Sequence, residues 1–250
     1  DDMVSRGLGD VYKRQVYKPV IFYKLYLLIG LLEVVIEFLG LSSGVFAVKP
    51  MLMPLLALAF WQESIPKHPF KMILLVALFF SWIGDVTLLF QSHSPYYFIL
   101  GLCAFLTVHV LYIWAMRPGL EYSLANRLRR IVTLFAILVL TILLVFYFER
   151  EGNEAYSGVV RYVVPLYSSV LALMVLAAAH QGSGSERYSI LIFSGALLFM
   201  FSDLFIALRA FSNALAFLSA SITSGIIMAT YILAQFLIIR GMVSYHHRVG

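Results

Sequence analysis

Two aspartates stand where a polar side chain is expensive. Asp85 lies in SWIGDVTLLF and Asp203 in SGALLFMFSDLFIA, each inside a long apolar run. An ionisable group at membrane depth costs at least a few kcal/mol, so each marks a functional site by default. Two carboxyl groups held out of water can divide proton chemistry between them. One holds a proton to give, and the other stays ionised and stabilises a developing cation. The same equipment also suits a proton-coupled carrier, and both readings stay open on these residues alone.

Other polar residues share those runs. Lys49 opens a second apolar run just before Pro50, His109 and Tyr112 share a helical face in FLTVHVLYI, and Tyr231 and Gln235 share one in TYILAQFLI. Glu33 and Glu37 are spaced i,i+4 in the first run, and Glu37 is the better candidate for the same site. At 1.5 Å per residue, Asp85 and Asp203 lie roughly 8–9 Å inside the outer boundary, with His109, Tyr112, Tyr231 and Gln235 nearer the other side. The spacing predicts two tiers, an outer Lys–Asp–Asp set and an inner His–Tyr–Tyr–Gln set. The blander alternatives are a structural ion pair of the aspartates with Lys49, and a core histidine satisfied across helices.

The elements that must position these groups follow from composition. Of 250 residues, 62% are apolar and 12% charged, about half the charge of a soluble domain, so the solvent is lipid. A helix crosses the ~30 Å bilayer core in about 20 residues. Apolar spans of that kind fall near 20–41, 45–61, 71–90, 96–116, 130–148, 162–180, 190–209 and 214–240, the second interrupted by Pro50 and Pro54. The prediction is an all-α, polytopic transmembrane bundle of about eight helices.

An even count puts both termini on one side. That side collects Lys18, Lys24, Lys67, Lys71, Arg117, Arg127, Arg129, Arg130, Arg187, Arg240 and Arg248, against Arg150, Arg161 and Arg209 opposite. Both termini are therefore expected in the cytoplasm. The net charge of +5 reads as topology, and no nucleic-acid partner is expected. The single cysteine, Cys103, leaves no intramolecular disulfide and no cysteine metal site. Residues 1–15, DDMVSRGLGDVYKRQ, differ in character from the rest of the chain and resemble adapter-derived translation. They are read as a non-native segment ahead of one membrane domain over 16–250.

Gly84–Asp85 and Ser202–Asp203 match as a small residue followed by Asp, and suggest a distant parallel duplication of a four-helix unit. The small residues would let neighbouring helices approach closely. With KPMLMPLLAL, GLCAFLTVHVLYI and TYILAQFLI, in this order and spacing, the chain resembles the YhhN-like lysoplasmalogenase family of eight-helix integral membrane proteins.

The resemblance implies a membrane hydrolase acting on the vinyl ether bond of lysoplasmalogens, with a lysophospholipid substrate and the bilayer as its partners. It implies Asp85 and Asp203 as the catalytic pair. Lys49, His109, Tyr112, Tyr231, Gln235 and Glu37 would bind substrate or support the pair. No cofactor or metal is expected: the intramembrane candidate residues include one histidine and no cysteine ligand, and no G-x-S-x-G motif occurs. The G-x-G-D form of an intramembrane aspartyl protease is also absent, since Trp82 precedes Gly84 by two. The expected location is the bacterial cytoplasmic (inner) membrane.

Overall fold

A computed structural model describes residues 2–63, 69–120, 131, 133, 134, 137, 157–182, 186–211 and 213–249, without the side chains of 2–19, 69, 157–162 and 249. Seven α-helices occur among them: α1 (Asp2–Phe38), α2 (Ser42–Trp61), α3 (Pro69–Leu89), α4 (Pro95–Met116), α5 (Ser157–Ala179), α6 (Arg187–Phe211) and α7 (Ala220–Val249). Five of them, α2, α3, α4, α6 and α7, are long and apolar enough to cross a membrane. The fold is a polytopic helical bundle. The predicted span over 130–148 lies outside the described residues except at 131, 133, 134 and 137. The change of composition after residue 15 is not a break in the helix, because α1 runs back to Asp2.

Each helix packs against the next, and α7 returns to α1, so the seven close into a ring. One end of the ring is filled by buried side chains, among them Leu52, Leu56, Leu74, Leu78, Met116 and Met174. That end also gathers charge: Arg240 pairs with Glu63 at 2.8 Å, and Lys71 donates to the carbonyls of Trp61 and Glu63 at 2.8 and 3.0 Å. The other end, where α3 and α6 finish and α4 and α7 begin, leaves its interior open.

The interruption expected at Pro50 and Pro54 does not occur, and α2 is continuous through both. Pro54 has no N–H for the carbonyl of Pro50, one turn back, and in lipid that carbonyl needs another donor. The Trp82 indole on α3 supplies it, Nε1 donating to Pro50 O at 3.0 Å. The repair also ties α2 to the helix that carries Asp85. Trp82→Phe is expected to keep the ring contact but leave the carbonyl bare. It should cost about 1–3 kcal/mol, read as a lower thermal unfolding temperature in detergent.

Candidate active site

α3 contributes Asp85, which is 2% exposed, and α6 contributes Asp203, which is 8% exposed. Each carboxylate has its own donors. Tyr231 on α7 donates its hydroxyl to Asp85 Oδ2 at 2.9 Å. Asp203 Oδ2 meets His109 Nε2 of α4 at 2.8 Å and the Tyr167 hydroxyl of α5 at 2.8 Å. His109 Nδ1 is buried and has no partner among the described residues. The Nε2–H tautomer, donating to Asp203, keeps that unpaired nitrogen from being a buried donor.

Aromatic rings separate the two carboxylate clusters. Phe199 packs edge-on against His109 and Tyr231, with centroids 4.8 and 5.5 Å away, and Phe105 packs against Tyr231 at 5.8 Å. Phe105 in turn covers Gly84: a Cβ there would sit 2.7 Å from its ring, so the small residue before Asp85 lets α4 approach α3 closely. Ser202, before Asp203, donates instead to the Ile227 carbonyl of α7 at 3.1 Å.

The two predicted tiers are not separate. His109 and Tyr231, expected in the inner set, bond directly to the aspartates. The reason is the direction of the side chains. Helical side chains lean toward the N-terminus of their helix. The contacts of Phe98 with Phe211 and Phe105 with Phe199 set α4 antiparallel to α6. The aspartates on α3 and α6 therefore lean one way, while His109 on α4 and Tyr231 on α7 lean the other. They converge across a difference in depth that a count of Cα positions cannot see. Tyr112 and Gln235 form the inner remainder: the Tyr112 hydroxyl donates to Gln235 Oε1, and Gln235 Nε2 donates to Ser81 Oγ at 2.9 Å.

Asp85, Asp203, Tyr231, Lys49 and Glu37 line one cavity of about 810 Å³ at the open end of the ring. Lys49 lies within electrostatic reach of Asp85 and Glu33. Glu33 itself is fully buried, and its two oxygens accept no hydrogen bond among the described residues. A second, narrower and almost wholly apolar pocket lies between α4, α5 and α6, and the two share Asp203, Leu88, Phe98, Phe105 and Ile206.

Tyr167 and Ser81 were missed from the sequence. Ser81 had a legible signal, one turn before Asp85 on the same face. Tyr167 had none, being one of fifteen tyrosines in a span without a charged neighbour. Among the described residues no group of three His, Cys, Asp or Glu side chains could hold a metal ion.

Fold and site together define a polytopic helical membrane protein with two buried carboxylates on one interior cavity. The chain belongs to the YhhN family, whose model matches residues 45–242. It is 33% identical over 178 residues to lysoplasmalogenase TMEM86A of Bos taurus and 32% identical over 175 residues to lysoplasmalogenase TMEM86A of Homo sapiens. Each match covers 68% of this chain and 65% of the relative, so the match spans about two-thirds of the length of either protein. No solved structure matches the chain.

Proposed function

We propose that this protein is a membrane-embedded ether hydrolase that cleaves the vinyl ether bond of a lysoplasmalogen, releasing a fatty aldehyde and the glycerophospho-headgroup. The observation that carries the reading is that Asp85 and Asp203 line one cavity and that Asp203 also lines an adjoining apolar pocket. The names of the two mammalian relatives support the substrate class.

The reaction needs one proton delivered to carbon. A carboxylic acid protonates the outer carbon of the C=C–O unit, and the electrons left behind form an oxocarbenium ion. Water adds to that cation and gives up a proton to a carboxylate. The resulting hemiacetal breaks its C–O bond to yield aldehyde and alcohol, the alcohol oxygen taking a proton. One water is consumed and both carboxyl groups return to their starting states. The logic is that of glycoside hydrolysis, where an acid and a carboxylate flank a similar cation.

Hydrogen bonding divides the roles. Two donors converge on a single oxygen of Asp203, an arrangement that suits an ionised acceptor and the stabiliser of the cation. Among the described residues Asp85 accepts a single hydrogen bond, from Tyr231 on Oδ2, and we assign it the proton. Tyr167→Phe removes one of the two donors while keeping the ring. It should lower kcat about tenfold with KM little changed, a split measurable in steady-state aldehyde assays.

A carrier reading would lean on broken helices in both halves of the chain. Both α2 and α5 run unbroken through their prolines, which weakens it. The deciding experiment is aldehyde release from a 1-alkenyl lysophospholipid by purified protein in detergent, where no gradient exists. Release supports the hydrolase, and none from well-folded protein rejects it.

A further inference from the structure

The large cavity has a mouth whose chemistry the proposed reaction does not use. Arg209, near the end of α6, reaches it and is held there by a hydrogen bond from Nη1 to Ser224 Oγ on α7, at 2.6 Å. Lys49 faces the same cavity from α2, and Ser42, Ser92 and Ser221 add hydroxyls to its wall. Arg209 lies on the end of the ring opposite Lys71, Arg187 and Arg240, so it does not belong to the charge cluster that sets topology. An arginine fixed by a serine, on the same hydroxyl-bearing cavity as a lysine, offers two cations and neutral donors of the kind that recognise a phosphate oxyanion.

The adjoining pocket has the opposite character. Leu171 and Ala172 of α5 and Met200, Leu204 and Ala207 of α6 line it, and its polar contributions come from Tyr167, Ser168 and Asp203. Asp203 is shared by a polar, hydroxyl-lined chamber, where Arg209 and Lys49 stand among the carboxylates of Glu37 and Asp85, and an aliphatic slot.

We infer that the site is bipartite: Arg209 and Lys49 bind the phosphate of a single-chain phospholipid in the cavity, and the aliphatic chain lies in the slot between α4, α5 and α6. The inference rests on the reading of the site as one for lysophospholipids, and it fixes which end of the lipid goes where. The bond between chain and glycerol then falls beside Asp203. Glu37, also on the cavity wall, meets the cationic end of a zwitterionic headgroup.

Binding separates this inference from the hydrolysis itself. The probes are a 1-O-alkyl lysophosphoethanolamine, whose saturated ether cannot be cleaved by protonation of carbon, the corresponding 1-O-alkylglycerol without phosphate, and inorganic phosphate as competitor. Arg209→Gln is expected to weaken the lysophospholipid about tenfold and leave the alkylglycerol unchanged. Lys49→Gln should act in the same direction. Ala172→Leu, which narrows the slot, should weaken both lipids alike.

Millimolar phosphate that displaces neither lipid assigns the subsite to the lipid-borne group. Displacement of the lysophospholipid by phosphate alone, with no effect of Ala172→Leu, overturns the bipartite site in favour of a free-anion site. Equal loss of both lipids in Arg209→Gln, or no loss of either, overturns the phosphate assignment. A protein that binds with this pattern yet releases no aldehyde keeps the inference and rejects the hydrolase.

Discussion

Asp203→Asn and Asp85→Asn are each expected to reduce aldehyde release by roughly 10³-fold, within the range for loss of a group that transfers or balances a proton. The replacement is isosteric. An asparagine carbonyl at 203 still accepts from His109 and Tyr167, and one at 85 still accepts from Tyr231, so the hydrogen-bonded frame survives. What is lost is a removable proton at one position and a negative charge at the other. Because the two act on one reaction coordinate, the double variant should be no more than a few-fold worse than either single one. Elution volume and helical circular dichroism of the variants check that the bundle is intact. Activity within tenfold of the parent in either single variant, on folded protein, removes the paired-carboxylate mechanism.

The proposed division of labour sharpens the test. If Asp85 supplies the proton, Asp85→Glu keeps the function and moves the acid by one methylene, so partial activity returns. Asp203→Glu must instead hold its charge between His109 and Tyr167, where the extra methylene has to fit beside a histidine ring already packed against Tyr167 and Phe199. Its recovery should be smaller. Equal recovery would argue against separate roles.

How much of this was legible in the sequence depends on what each feature rests on. The helices were, because a run such as MILLVALFF has only one stable form in lipid. So were Asp85, Asp203, His109 and Tyr231 as residues of interest, because a polar group in such a run is its own signal. Their pairing was not. The bonds from His109 to Asp203 and from Tyr231 to Asp85 depend on the opposite lean of side chains on antiparallel helices, which a depth count ignores. Continuity through Pro50 and Pro54 was equally hidden, since the donor that repairs it is a tryptophan in another helix. Of the two glutamates on α1, Glu37 lines the cavity, while Glu33, one turn away, is fully buried and does not. A four-residue spacing places two side chains on one face but does not say how wide the cavity is.

The other large effect concerns the seam that carries half the site. α6 holds Asp203 and α7 holds Tyr231 and Gln235, and the two helices come into close backbone contact at Gly195. A Cβ added there would lie 2.9 Å from the backbone oxygen of Ala234 and 2.9 Å from the backbone nitrogen of Ile238. Backbone atoms in a helix cannot move aside as a flexible side chain can. Gly241 makes the reciprocal approach, with a Cβ 2.6 Å from Ile192 Cγ1 and 3.0 Å from Ile192 N. Gly195→Val therefore has to push α7 off α6, at a cost of about 3 kcal/mol in packing. Asp203 lies eight residues further along the same helix, so the displacement also pulls it away from partners on other helices. Thermal unfolding should fall well below that of the parent, and aldehyde release by the surviving folded fraction should drop at least ~10²-fold, as expected when reacting groups are misplaced by about 1 Å. Gly195→Ala, with a single methyl, should fall between the two. A valine variant with parental stability and activity would mean that the α6–α7 contact is not what fixes Asp203 against His109 and Tyr167.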